Sequence, residues 1–327
     1  MTRTILTVVA ACLAAVPPAA AANPPLELVR TIPLPGAPGK LDHFALDAAG
    51  GRLFLSNQGN ASLDVIDVAT GKVLAQVAGQ KRIHGIAYVQ PLNRVFVGNG
   101  DPGECAAVDG KSYKVLKRLP VKGADNVQYD DRTGQVFVAG GAALTPVDPK
   151  GLTAGAPVEL PAPAKAFRVD PGKPRLFLNA NGAGVCVLDA KARKLTATYK
   201  LADAGGNASV ALDPARGRVF VGCRKEPQLL VLDADTGKER ARLAIPAGVD
   251  DLWYDAKRRR VYASCGTGFL AVVQQADGDR YTLAAKLPTP AGARTCLFDP
   301  VKGLVYLGVP KRGDRGPAEI RVYAARP

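Results

Sequence analysis

The chain has 327 residues, with 43 Lys and Arg against 29 Asp and Glu, a formal net charge of +14, six cysteines, two histidines and one tryptophan. That length supplies a sizeable core, and so few cysteines exclude a dense disulfide scaffold. The basic residues are spread in short groups and form neither a recognition-helix motif nor a dense aromatic-basic module. The charge therefore reads first as solvated surface, second as attraction to an anionic envelope polymer or acidic protein, and not as physiological nucleic-acid recognition.

The chain begins with Arg3, then the apolar run ILTVVAACLAAVPPAAA and a group of small residues, Ala19 to Ala22. This order of charge, short apolar stretch and small residues is that of a secretory signal, and residues 1–22 are read as one. Pro17 and Pro18 interrupt the run, which argues against a retained membrane span, although an uncleaved anchor is the alternative. No later segment is apolar for long enough to span, so the mature chain has no expected transmembrane segment and is assigned to the periplasm or the exterior.

From residue 23 to 327 a single domain is expected. The phrase RLFLSN at 52–57 returns as RVFVGN at 94–99, QVFVAG at 135–140, RLFLNA at 175–180, RVFVGC at 218–223, RVYASC at 260–265 and LVYLGV at 304–309, at intervals of 40 to 44 residues. Seven copies at that period predict an all-β, seven-bladed propeller with four antiparallel strands in most blades. The aromatic of each phrase, Phe54 to Tyr306, falls in one register and is expected between neighbouring blades. DVATGK at 67–72 and DADTGK at 233–238 are polar turns between third and fourth strands, with Asp to accept turn amides and Gly71 and Gly237 to relieve positive φ. The seventh copy ends at EIRVYA (319–324) with three strands, while LELVRTIPLP (26–35) precedes the first. Pairing the two closes the ring and protects two strand edges.

Residues 53–77, LFLSNQGNASLDVIDVATGKVLAQV, resemble the YVTN-repeat family of seven-bladed propellers, including the YncE-like periplasmic proteins, and weaker equivalents cover most of 26–324. The family's aromatic strand ends in Thr-Asn. Here the ending is Ser56-Asn57 or Gly98-Asn99 in early copies and Gly222-Cys223 or Ser264-Cys265 in later ones. The resemblance implies an exported protein with a binding or envelope-associated role, and it carries no catalytic set.

Function must come from polar positions that break the repeat. Alignment on the aromatic strand puts Asp42, His84, Asp125, Lys165, Ala208, Asp250 and Arg294 at one position, the start of the innermost strand, with His43, Asn126 and Asp251 next to three of them. These starts crowd one mouth of the central channel, as a self-satisfied hydrated ring or as a pocket for a polar small molecule or a protein tip. Lys165 and Arg294 would meet anionic groups; Asp42, Asp125 and Asp250 would accept from a sugar, amine or peptide. His43 and His84 are the only histidines, one position out of phase. With Asp42 and Asp125 they are the candidate ligands of a divalent metal, the one cofactor considered.

The expected activity is non-enzymatic binding at this mouth. The alternative is a metal-dependent or acyl-transfer, lactonase-like hydrolase there, with Asp125 or Asp250 as general base and Arg294 facing developing negative charge. No Gly-x-Ser-x-Gly elbow is present. Once Cys12 leaves with the signal, five cysteines remain, read as buried thiols, with a Cys223–Cys265 bridge or soft-metal pair as alternatives. The segment GCRKEPQ at 222–228 is expected as an exposed rim loop whose Arg224 and Lys225 meet an acidic partner.

Overall fold

The computed structural model of the chain describes residues 24–36, 39–313 and 316–327. The proposed signal segment lies outside them. The architecture is a seven-bladed all-β propeller, each blade an antiparallel sheet ordered from the channel outward. The innermost strands are Leu41–Asp47, Ile83–Val89, Ala124–Asp130, Ala164–Val169, Asn207–Asp213, Val249–Asp255 and Thr295–Asp299, for blades 1 to 7. The strand Leu26–Leu34 pairs antiparallel with Ala318–Ala325 and completes blade 7 from the other end of the chain.

The repeated phrase forms the second strand of every blade, and Phe54, Phe96, Phe137, Phe177, Phe220, Tyr262 and Tyr306 are all at most 1% exposed. Each packs with apolar residues of an adjacent sheet, so the core is a circle of inter-blade layers around a channel. The turns follow the chemistry of their sequence. Asp67 accepts from the Thr70 amide at 2.6 Å and hydroxyl at 2.8 Å; Asp233 does the same for Thr236 at 3.0 and 2.9 Å. Gly71 and Gly237 have φ of +74° and +71°.

Blade 3 departs from four continuous strands. Its outermost strand is split into Thr153–Ala154 and Val158–Glu159, both paired with Ala143–Asp148. Pro157 has no amide to give to a ladder, and Gly155 instead donates to the Pro146 carbonyl at 2.8 Å. Among the described residues no helix is long and apolar enough to cross a membrane.

Candidate functional site

The polar mouth is built by a defect repeated in the innermost strand. In blades 1 to 4 the register jumps between Leu41 and Phe44, Ile83 and Ile86, Ala124 and Val127, and Ala164 and Phe167; in blades 5 and 6 it jumps between Asn207 and Ser209 and between Val249 and Asp251. Each jump inserts one extra residue into the inner strand. A bulge breaks the alternation that would otherwise send neighbouring side chains to opposite faces. Consecutive residues such as Asp42 and His43, or Asp125 and Asn126, therefore line the same hollow.

That hollow has a volume of about 160 Å³ and gathers Asp42, His43, His84, Asp125, Asn126, Lys165, Asp250 and Arg294 from six blades. Ala208 also lines it, adding no polar group in blade 5. Asp251 does not line the mouth. It is 2% exposed and sits one layer deeper, where Oδ2 accepts from the Cys296 amide at 3.1 Å and from His43 Nδ1 at 3.2 Å.

The two histidines share Asp42. His84 Nδ1 is 2.9 Å from Asp42 Oδ2, and His43 Nε2 is 3.5 Å from Oδ1. Burial works against the charge of Asp42, yet His43 and then His84 hold its carboxyl below the ordinary value. An ionised carboxylate only accepts, so His84 Nδ1 is the donor in its contact with Asp42. Burial likewise opposes a charged His43, but the carboxylates of Asp251 and Asp42 overcome it and push the imidazole up to about 10. His43 is thus a fixed cation at neutral pH, both nitrogens directed at acids. Asp250 is pushed up to about 6 by burial, with Asp42 adding to the effect and Arg224 opposing it.

This arrangement bears on the metal reading of His43, His84, Asp42 and Asp125. A protonated His43 has no lone pair to offer, Asp42 is committed to both rings, and Asp125 Oδ1 stands 4.0 Å from His84 Nδ1. Among the described residues no group of three or more His, Cys, Asp or Glu side chains is placed to hold a metal ion.

Two site residues escaped the sequence reading, and both lie one position past the repeated strand. Gln58 Nε2 donates to Asp42 Oδ2 and to the Ile83 carbonyl, each at 2.9 Å. Arg224, its equivalent in blade 5, donates from Nε to the Val249 carbonyl at 2.8 Å and pairs with Asp250, which Arg294 also approaches at 3.7 Å. Both clamp the first carbonyl of the next blade's inner strand. The signal was available, since this position is Gly100, Gly141, Asn181, Gly266 or Pro310 in the other blades and carries a long hydrogen-bonding side chain only here. Residues 224–227 form the exposed turn expected of a rim loop, but Arg224 borders the mouth and pairs with Asp250, which corrects its expected place on an outer face. The five cysteines are the buried, unpaired thiols expected, at Cys105, Cys186, Cys223, Cys265 and Cys296, and the alternative Cys223–Cys265 bridge is not formed. Burial pushes Cys223 up to about 11 and Cys265 up to about 12, which keeps them protonated and poor metal ligands.

Among the described residues Lys165 and the Nε2 of His84 have no hydrogen-bond or ion-pair partner, although both line the hollow. The scaffold is therefore compatible with ligand binding at its central mouth.

No family model matches the chain. An 80-residue stretch is 29% identical to an uncharacterized protein YncE of Salmonella typhi, covering 23% of this chain and 22% of that protein. Over 284 residues the chain is 22% identical to the uncharacterized protein YncE of Salmonella typhimurium, covering 83% of this chain and 69% of the relative. Among solved structures, a chain of Kuenenia stuttgartiensis hydrazine synthase superposes with a TM-score of 0.72 at 16% identity, over 83% of this chain and 92% of that one. A chain of a mitotic checkpoint complex superposes with a TM-score of 0.77 at 13% identity, over 100% of this chain and 99% of that one. At such identities these two likenesses are of fold alone.

Proposed function

We propose that this seven-bladed propeller, a relative of the YncE-like proteins, is an exported, non-enzymatic binding protein of the periplasm or exterior that holds a polar small molecule or the tip of an envelope protein at its mouth. The observation that carries the reading is the pair of uncommitted groups around the hollow, Lys165 and His84 Nε2, beside the Asp125 carboxylate. A ring that existed only to satisfy itself would pair them. His84 and Asp125 make first contact in this reading, and Lys165, Arg294 and Asp250 select by charge. His43, Asp42 and Asp251 position the rest. The net charge of +14 favours an anionic envelope surface as the setting.

Native mass spectrometry of untagged protein purified from its own host, with a structure of the co-purified complex, tests this. A ligand retained by the wild type and weakened about tenfold or more by the combined His84→Ala and Asp125→Ala change supports the site. Unchanged affinity in that double variant, or ligand bound elsewhere, rejects it.

One observation favours the hydrolytic alternative. Asp250, pushed up to about 6, has the poise of a general base near neutral pH. A screen of ester, lactone and glycoside substrates against an Asp125→Ala/Asp250→Ala control decides between the readings, and turnover that the control abolishes would replace binding by catalysis.

A further inference from the structure

Past the mouth, the inner strands present a second ring of equivalent positions, each directly opposite the repeated aromatic of its own blade. Ala45, Ala87 and Ala211 occupy it with methyl groups, whereas Gln128, Arg168, Trp253 and Leu297 fill it. The small residue in blade 5 lets a side chain from blade 4 reach blade 6. Arg168 does so, with its guanidinium carbon 4.6 Å from the centre of the Trp253 ring and Nη2 3.4 Å from the Leu252 carbonyl. Its other contact is the carbonyl of Phe167, at 3.2 Å from Nη1. The indole is itself fixed, since Nε1 donates to the Cys296 carbonyl at 2.8 Å.

Among the described residues no carboxylate forms an ion pair with Arg168. Asp251 is close enough to act on it electrostatically but is already engaged by His43 and the Cys296 amide. Burial holds the guanidinium below its ordinary value, yet an arginine does not give up its proton in a protein. It therefore stands as a charge whose hydration has been removed and replaced by two long bonds to neutral acceptors. Beside it is a cavity of about 390 Å³, more than twice the volume of the mouth hollow, opening toward the far ends of the inner strands at Leu46, Tyr129 and Pro300. Its walls beyond Arg168 are mainly apolar or aromatic, Tyr88, Leu297 and Phe298 among them.

We propose that this cavity, which meets the polar mouth at His43 and Asn126, is a second binding site for an organic monocarboxylate with an apolar body. The planar guanidinium matches a carboxylate in shape and charge. Arg168 and the protonated His43 against the single carboxylate of Asp251 leave one net positive charge in the lining, which calls for one negative charge on the ligand. The apolar walls suit a hydrocarbon body better than a sugar, and the volume falls within the range of small-molecule sites. This assignment does not depend on what the mouth binds.

Trp253 is the chain's single tryptophan and lines this cavity, so tryptophan emission reports on its surroundings. The test titrates the full chain with octanoate and, for contrast, with uncharged octanol. Octanoate is expected to shift the emission saturably, with octanol at least about tenfold weaker. Arg168→Gln is expected to weaken octanoate by about tenfold or more, Arg168→Lys by less, and Lys165→Ala/Asp125→Ala at the mouth not at all. Absence of a saturable response at millimolar octanoate, equal response to octanol, or wild-type affinity in Arg168→Gln overturns the proposal. The octanoate–octanol contrast in the unmodified protein stands even where the arginine variants fail to fold.

Discussion

His43 shows how far a side chain can be moved from its ordinary behaviour by two neighbours. The Asp251 and Asp42 carboxylates hold the charged imidazole against burial and push it up to about 10, from 6.5 in an unstructured chain. A raised value means that folding is coupled to proton binding: the stabilisation is complete below about pH 6.5 and is lost as pH rises through about 10. His43→Gln is therefore expected to destabilise most at pH 6, less at pH 8, and little at pH 10, read from urea unfolding midpoints. A penalty that stays constant across that range would show that packing, and not the ion pairs, gives His43 its role. The residue was legible as a mouth candidate because it is one of two histidines. Its fixed charge was not, since Asp251 comes from blade 6, 208 positions along the chain.

At the scale of the strand, the bulge does the work that no single residue does. Six inner strands carry one, and each delivers a side chain, or two in succession, to the mouth. The strands of blades 2 and 3 approach closely there, because a Cβ on Gly85 would lie 2.4 Å from the Val127 amide nitrogen and 2.6 Å from the Asp125 carbonyl oxygen. Both obstacles are backbone and cannot swing aside. Gly85→Ala is expected to cost about 1–3 kcal/mol and to displace Asp125 from the mouth. A denaturant melt and the affinity of whichever ligand the mouth holds would show both effects, and an alanine variant as stable as the wild type would mean that the two strands can part freely. The aromatic strands were readable from the repeat. The outermost strand of blade 3 was not read as broken, although Gly155 and Pro157 in its sequence mark the break.

For the whole molecule, closure is the decisive contact, because a propeller blade buries its faces only against its two neighbours. Leu26–Leu34 is the outer strand of a sheet whose other three strands come from the opposite end of the chain. Leu26 and Ile32 are 1% and 2% exposed, packed into the clusters on either side of blade 7. Removing residues 24–35 is expected to lower the thermal midpoint of the whole ring in one transition and to expose the edge of Ala318–Ala325 to aggregation. An unchanged melting curve for that truncation would contradict a closing role.

What the sequence determined by itself was the periodic part: blade number, strand order, turn chemistry and the ring of polar strand starts. A repeat writes the same local physics seven times, and the copies correct one another. The tertiary structure alone decided which unlike residues meet. Arg224 turns inward because Ala208 leaves blade 5 without a polar side chain and the Val249 carbonyl is within reach. Arg168 crosses to Trp253 because Ala211 between them is small. Such encounters depend on side-chain size and on distances across a channel, quantities to which no spacing along one strand refers.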